Sequence, residues 1–302
     1  MVVNPLVSDI GNYAIWFFVI TSIAAMGLNL TVGEILAPWK KQGLLTISLF
    51  ANFLAVPLFA LLILKLIPLD SGLATGLLIV AAAAGAPSLP KAISIVKGDV
   101  AYAVGLTMIL ILVTILYMPL VLPFLIGDVS IDKSSTTLYL ITFMLIPLII
   151  TMALRARLSE VAKVLHPVVS RTSDLSIILV LLIYTLVLFT SDFTGKAGAV
   201  LGLQGVLVAI LFILGSFVIG HLMGGADWQN REVLSFGTGF RNVSAALVVV
   251  TANFRDPQIM FMVLVIAIFG IIFMMIFGGV IYRKKRKEGI IPKLRMKWRG
   301  SD

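Results

Sequence analysis

The sequence has no cysteine and few charged residues. Cysteine is absent from all 302 residues, which excludes disulfides, zinc thiolate sites and thiol nucleophiles. Lys, Arg, Asp and Glu make up only 12% of the chain, whereas 60% of its residues are hydrophobic. A disordered chain needs the opposite balance, and so little polar surface could not cover the apolar mass of a soluble domain. The composition therefore indicates an integral membrane protein.

Nine apolar runs are long enough to cross a bilayer as helices, which takes about 20 residues each. They cover roughly residues 11–30, 43–65, 72–96, 99–126, 135–154, 174–190, 200–222, 231–252 and 257–282. The strands of an outer-membrane barrel alternate in hydropathy over about 10 residues, whereas these runs are longer and uniformly apolar. The sequence therefore predicts an all-α polytopic membrane protein with nine transmembrane helices.

The basic residues are concentrated on one side of the predicted bundle. When the nine spans alternate in direction, 17 of the 23 Lys and Arg residues fall on one side and four on the other. Basic loops stay cytoplasmic, so we expect a multi-pass protein of the cell (cytoplasmic) membrane, with its N-terminus outside. Residues 283–302 then form a basic cytoplasmic tail. The net charge of +9 reports topology in this interpretation, and nucleic acid is not an expected partner.

Two basic residues remain inside the predicted spans, Lys91 and Arg241, and we expect no acidic residue at the same depth. A charge at the bilayer centre costs at least about 2.5–3.5 kcal/mol, so the two cations indicate a water-filled cavity or an anionic ligand. Each cation also has an alternative role. The Lys91 ammonium could extend to the membrane interface near Lys97, and Arg241 could be a structural residue that donates to backbone carbonyls.

Both cations follow a predicted break in their helix. The residues that predict these breaks are Gly85, Pro87 and Pro90 in the third span and Gly237 and Gly239 in the eighth. Proline removes a backbone donor and clashes with the preceding turn, and irregular backbone at membrane depth is tolerated only beside protein or a wet cavity. Paired interrupted spans indicate the site of a secondary transporter. Half-helix N-termini at such breaks favour an anion.

The order of spans predicts an internal repeat. Spans 2–4 and 7–9 each consist of a continuous span, a broken span and a long span, and five spans separate equivalent members. Because five is odd, the two units have opposite orientations in the membrane. We therefore predict an inverted repeat in which two discontinuous helices cross at mid-membrane.

Four segments resemble the bile acid:sodium symporter family of secondary transporters. They are WFFVITSIAAMGLNL in span 1, ANFLAVP in span 2, KGDVAYAVGLT at the start of span 4 and GFRNVSAALVVVTANF in span 8. The resemblance covers nearly the whole chain. It implies a core domain, about residues 43–126 and 200–282, and a panel domain, about residues 11–30 and 135–190. It also implies transport of an organic anion by alternating access.

The resemblance further implies that most of the family's sodium ligands are missing. Residues at the positions of the first sodium site are Leu89, Pro90, Ala103, Thr107 and Gly237. Residues at the positions of the second are Asn52, Gly237 and Arg241. Only Thr107 and Asn52 keep side-chain oxygens, so we expect no sodium site, no other metal and no cofactor. Lys91 and Arg241 are then expected to supply positive charge near the two former sites.

We predict that Lys91 and Arg241 bind or electrostatically hold the carboxylate of an organic anion, which is either a small carboxylate or a larger, bile-acid-like anion. The polar residues expected to line the crossing point are Asn52, Ser88, Thr107, Thr238, Asn242 and Ser244. Arg stays charged in proteins whereas a desolvated Lys titrates readily, so Lys91 is the candidate proton carrier. Proton coupling, uncoupled transport and sodium symport through altered ligands all stay open, as do the substrate and the oligomeric state. The expected partners are the anion and the lipid bilayer.

Two other functional classes are an enzyme and a receptor or channel. The sequence contains two histidines, His166 and His221, and neither has the spacing of a metal ligand or a partner for a catalytic dyad. We therefore expect no enzyme activity. A receptor or channel with the same fold is the other alternative, and binding without flux would identify it.

Overall fold

The computed structural model describes residues 5–127, 132–190 and 202–289, and these ranges are helical almost throughout. The helices are α1 (Pro5–Asn29), α2 (Val32–Leu36), α3 (Gln42–Phe50), α4 (Val56–Leu66), α5 (Ser71–Ala82), α6 (Leu89–Ile95), α7 (Val100–Ile126), α8 (Lys133–Leu140), α9 (Ile146–Arg157), α10 (Ser159–Thr190), α11 (Leu203–Met223), α12 (Trp228–Gly239), α13 (Val243–Asn253) and α14 (Pro257–Lys287). Within the described ranges, eight helical stretches are long and apolar enough to cross a membrane. The chain is therefore a multi-pass membrane protein.

The third predicted span is broken, as its glycine and prolines indicated. α5 ends at Ala82 and α6 begins at Leu89, so neither piece has the length of a span. Gly85 adopts a φ of +80°, and a Cβ at this position would lie 2.7 Å from the backbone nitrogen of Ile111. Pro90 occupies the first turn of α6, where a helix needs no N–H donor. We call residues 83–88 the first break.

The eighth predicted span is also broken, over residues 240–242, which we call the second break. α12 ends at Gly239 and α13 begins at Val243. The ring of Phe217 in α11 lies where a side chain at residue 239 would have to be. Glycine at this position therefore lets the end of α12 approach α11 closely.

Two π-helical turns lie within the second and fifth predicted spans, at Ala51–Ala55 and Ile141–Leu145. Each ends just before a helix whose second residue is proline, Pro57 in α4 and Pro147 in α9. Because Pro57 has no N–H, the carbonyl of Phe53 loses its usual helical partner. The hydroxyl of Tyr117 donates to that carbonyl instead, at 2.7 Å.

Residues 155–173, which the predicted fifth and sixth spans leave between them, are helical except for Leu158, so the predicted start of the sixth span at residue 174 was wrong. α9 continues to Arg157 and α10 begins at Ser159, so a single residue separates the two helices. Hydropathy identified only the apolar half of α10, whereas a helix extends through polar residues when one face is solvated. As a consequence, Asp174 lies in the middle of a helix and not at the start of a span.

The last helix continues past the predicted end of its span. α14 reaches Lys287 and places Lys285, which the sequence assigned to the tail, in a buried position with 3% exposure. The Lys285 ammonium donates to Glu232 of α12 at 2.7 Å and to the carbonyl of Val96 at 2.6 Å. This contact ties α14 to the ends of both broken spans.

The helices around the two breaks pack in two groups. One group contains α1, α9 and α10, and the other contains the helices that pack on α5 and α6. α1 packs mainly on α9 and α10, whereas α6 packs on α7, α12 and α14. α5 packs on α14, α7 and α4, and α12 packs on α11. The contact of α1 with α13 joins the two groups near the second break.

Candidate substrate and cation site

The two breaks meet in space. The backbone N–H of Asn242 donates to the carbonyl of Ala83 at 2.9 Å. The side-chain oxygen of Asn242 accepts from the N–H of Ala245 at 3.0 Å and caps α13. Asn242 thus connects the first break to the start of the half-helix that follows the second.

A threonine of α7 satisfies the backbone of the first break. The hydroxyl of Thr114 donates to the carbonyl of Ala84 at 3.0 Å and accepts from the N–H of the same residue at 3.2 Å. Unwound backbone at membrane depth needs such internal partners. Sequence reasoning missed Thr114, and the available signal was a hydroxyl residue within the long apolar run of α7.

Arg241 lies in the second break and is buried against the end of α5, with 5% exposure. Its Nη1 donates to the side-chain oxygen of Asn52 at 2.8 Å, and its Nη2 donates to the carbonyl of Ala81 at 2.6 Å. Longer bonds run from Nη2 to the carbonyl of Asn52 at 3.4 Å and from Nε to the carbonyl of Val80 at 3.2 Å. Among the described residues, none of the ion pairs includes Arg241.

The oxygens around Arg241 are available for physical reasons. Val80 and Ala81 lie in the last turn of α5, where carbonyls carry the negative end of the helix dipole. The carbonyl of Val80 also accepts from the N–H of Ala83 at 3.1 Å. Asn52 lies in the first π-helical turn, and its side-chain nitrogen donates to the carbonyl of Ser48 at 2.9 Å. That bond directs the side-chain oxygen toward the guanidinium.

Lys91 differs from Arg241 in its exposure and in its partner. Its ammonium lies 2.8 Å from the carboxylate of Asp174, and the two side chains are 56% and 59% exposed. The expectation that no acidic residue lies near this cation was therefore wrong. The error follows from the misplaced start of α10, because that helix carries Asp174 to the depth of the first break.

Two neighbouring cavities share this ion pair. Cavity A has a volume of about 340 Å³ and lies between α1, α10, α14 and the two breaks. Cavity B, of about 460 Å³, lies beside α1, α6 and the first half of α10. Residues that line both cavities are Ser22, Pro87, Ser88, Lys91, Ser173 and Asp174. The ion pair therefore stands at the boundary between the two cavities.

The eight predicted site residues divide into two sets. Those that line cavity A are Lys91, Arg241, Ser88 and Ser244. Those that lie fully buried behind its described wall are Asn52, Thr107, Thr238 and Asn242. The hydroxyls of Thr107 and Thr238 donate to carbonyls of their own helices at 2.7 and 2.8 Å. Asn52 and Asn242 hold the breaks together, as described above.

The surroundings of Gly237 are apolar. A Cβ at this position would lie 3.5 Å from Leu89 and 3.8 Å from Leu106. Leu89 and Ala103 are fully buried. In the described part of the chain, no cluster of three or more His, Cys, Asp or Glu residues could hold a metal ion.

Comparison with known proteins identifies the family. The model of the Sodium Bile acid symporter family matches residues 16–193, which is more than half of the chain. "Probable sodium/metabolite cotransporter BASS3, chloroplastic" of Oryza sativa subsp. japonica is 22% identical over 259 residues, which cover 82% of this chain and 59% of that protein. "Probable sodium/metabolite cotransporter BASS1, chloroplastic" of Arabidopsis thaliana is 25% identical over 259 residues, which cover 82% and 61%.

The chain spans about three fifths of the length of these two relatives. Both are named as cotransporters and not as enzymes, which agrees with the expectation from the two isolated histidines. The match also confirms the resemblance that the four sequence segments carried. This chain belongs to the sodium bile acid symporter family.

Proposed function

We propose that the protein is a secondary active transporter of an organic anion that works by alternating access without sodium. The observation that carries the proposal is the position of the Arg241 guanidinium on the side-chain oxygen of Asn52 and the last carbonyls of α5. In transporters with discontinuous helices, carbonyls of unwound backbone and of half-helix C-termini coordinate the coupling cation. Arg241 places a permanent positive charge on such oxygens, and so acts as a tethered cation.

The packing around Gly237 supports the absence of a second coupling ion. A sodium ion needs several oxygen ligands, and the side chains nearest to a Cβ at Gly237 are Leu89 and Leu106. The Thr107 hydroxyl, expected to be the one remaining oxygen of that site, donates to a carbonyl within α7. Lys91 lies in the wall of cavity A and pairs with Asp174 there. Its positive charge therefore serves the cavity more directly than the former sodium site.

The lining of cavity A supports an amphipathic carboxylate as the substrate. Lys91 and Arg241 lie in the wall that also carries the hydroxyls of Ser88 and Ser244. Apolar residues that line the remainder include Phe18, Ile177, Phe240, Ile266 and Met274. Ligand pockets commonly have volumes of about 300–1,000 Å³, and cavity A lies at the lower end of this range. A small anion with an apolar body fits this lining.

The proposed architecture has nine spans in an inverted repeat, with α5–α6 and α12–α13 as the two crossed discontinuous spans. The order of helices before and after each break supports this, because a continuous span precedes each one and a long helix follows it. In the proposed topology the N-terminus is outside the cell membrane and the basic C-terminal end is cytoplasmic. Cavity B extends from cavity A to Asn29 and His166, and these residues are then near the cytoplasmic side.

Sodium-coupled symport is the second candidate function, because both relatives are named as sodium/metabolite cotransporters. Uptake of radiolabelled pyruvate, octanoate and cholate into proteoliposomes separates the candidates. We expect uptake of at least one of these anions at the same rate under sodium and potassium gradients. Uptake that requires sodium would overturn the proposal in favour of symport, and binding without uptake would indicate a receptor.

The same vesicles test proton coupling. If Lys91 carries the proton, an inward pH gradient accelerates uptake by the wild type and not by a Lys91→Ala variant. A wild-type rate that ignores the pH gradient indicates uniport or anion exchange.

A further inference from the structure

The exposed cation of the cavities is already paired with a carboxylate. Within the described lining of cavities A and B, the Lys and Arg residues are Lys91 and Arg241. Arg241 is 5% exposed and donates to Asn52 and α5. An incoming anion can therefore form a direct ion pair with Lys91, whose ammonium is held at 2.8 Å by Asp174.

Asp174 occupies the position that a substrate carboxylate needs. Both partners of the pair line cavity A as well as cavity B, so an anion that reaches either cavity meets the pair. If the substrate joined the pair without displacing Asp174, two carboxylates would lie next to one ammonium. Two neighbouring carboxylates repel each other. Direct binding of the substrate to Lys91 therefore favours a conformation in which the Asp174 side chain has moved away from the ammonium.

The pair also connects helices with different neighbours. Lys91 is on α6, which packs on α7, α12 and α14, whereas Asp174 is on α10, which packs on α1 and α9. Breaking the pair removes a link between the two helix groups without disturbing the packing inside either one. The ion pair is therefore one of the contacts between the two groups, beside the contact of α1 with α13.

We propose that the Asp174 carboxylate is a tethered competitor of the substrate: it holds Lys91 when the site is empty, and the carboxylate of the anion displaces it. The inference rests on the proposed function for the chemistry of the substrate. Asp174 is accordingly a residue that sets affinity and links the two helix groups. It is not a ligand of the substrate.

Binding of radiolabelled octanoate and cholate to the full chain in lipid nanodiscs tests the competition. The variants are Asp174→Asn, Lys91→Gln and the double variant, with Glu160→Gln as the matched control. Glu160 is on the same helix and forms an ion pair with Lys163 at 2.7 Å, but lines neither cavity in its described extent. Asp174→Glu, which keeps the carboxylate, is expected to remain close to the wild type.

We expect Asp174→Asn to bind the probe about two- to fivefold more tightly, the factor that corresponds to losing one exposed ion pair. In the Lys91→Gln background the same change should have no effect, and Glu160→Gln should bind like the wild type. Unchanged or weaker binding by Asp174→Asn would overturn the inference. An equal gain in the Lys91→Gln background would do so too, because it would indicate general charge repulsion.

The binding assay is independent of flux. Tighter binding by Asp174→Asn would support the competition even if the wild type showed no uptake into proteoliposomes. The absence of wild-type uptake would refute the transport function alone. If octanoate and cholate bind neither the wild type nor Asp174→Asn, the inference is overturned. Binding by Asp174→Asn alone supports it.

Discussion

Arg241 lies in the second break and Lys91 lies just after the first. The two residues carry the same charge and have opposite environments. Arg241 is 5% exposed and donates to Asn52 and the end of α5, whereas the Lys91 side chain is 56% exposed and has one ion-pair partner. The planar guanidinium presents five donors in a fixed fork and suits a set of fixed oxygens. The ammonium is a point charge on a flexible stem. The difference indicates that Arg241 is part of the scaffold and that Lys91 is available to a ligand.

The largest expected effect is that of Arg241→Ala. The substitution leaves the carbonyl of Ala81 and the side-chain oxygen of Asn52 buried without their donor. Each abandoned buried acceptor costs about 1–3 kcal/mol, partly offset because the charge itself is no longer buried. We expect the free energy of unfolding to fall by about 2–4 kcal/mol. Thermal unfolding in nanodiscs, followed by circular dichroism, measures it.

The stability of a Lys285→Met variant is the control for the stability of Arg241→Ala. Lys285 is also a buried cation, with 3% exposure, but it pairs with Glu232 outside cavity A. It should destabilise the protein without changing anion affinity in the fraction that remains folded. A stable Arg241→Ala variant with wild-type transport would show that Arg241 is not part of the scaffold.

A smaller effect, on binding, is expected for Lys91→Gln. The change removes the exposed cation of cavity A and should weaken carboxylate binding about ten- to one hundredfold, the range for a hydrogen bond to a charged group. Stability should change by less than about 0.5 kcal/mol because the side chain is exposed. Equilibrium binding and thermal unfolding of the same preparation give both numbers. A large loss of stability with intact affinity would reverse the roles assigned to the two cations.

The smallest expected effect is that of Thr114→Val, which weakens the first break without altering charge. The hydroxyl bonds both the N–H and the carbonyl of Ala84, and valine has nearly the same shape. We expect a loss of about 1–2 kcal/mol in stability and no change in the dependence of transport on cations. A Thr114→Ser variant should recover most of the stability, and failure to recover it would implicate packing of the methyl group instead.

The sequence was sufficient for the features that depend on local chemistry. The glycines and prolines before Lys91 and Arg241 predicted both breaks. The first break lies at residues 83–88 and the second at residues 240–242. Hydropathy located the long helices to within a few residues, apart from the starts of α1 and α10 and the end of α14. These features follow from backbone geometry and from solvation, which act on neighbouring residues.

The partners of the two cations could not be predicted in the same way. Arg241 meets Asn52 across 189 residues of chain, and Lys91 meets Asp174 across 83. Such contacts depend on how helices pack, and hydropathy misplaced Asp174 because it does not identify the polar half of α10. Even so, the chemistry of the residues narrowed the set of possible partners for Arg241. A carbonyl-bonded Arg241 was one of the alternatives that the sequence left open.

The central claim is that the guanidinium of Arg241 takes the place of a sodium ion at the end of α5. Equilibrium binding of ²²Na⁺ to the purified protein in nanodiscs tests it most directly, with Arg241→Gln as the matched variant because glutamine leaves the oxygens of Asn52 and Ala81 accessible. We predict no saturable sodium binding to the wild type and the appearance of binding, or of stabilisation by sodium over potassium, in Arg241→Gln. Saturable binding of one or more sodium ions per chain to the wild type would contradict the account.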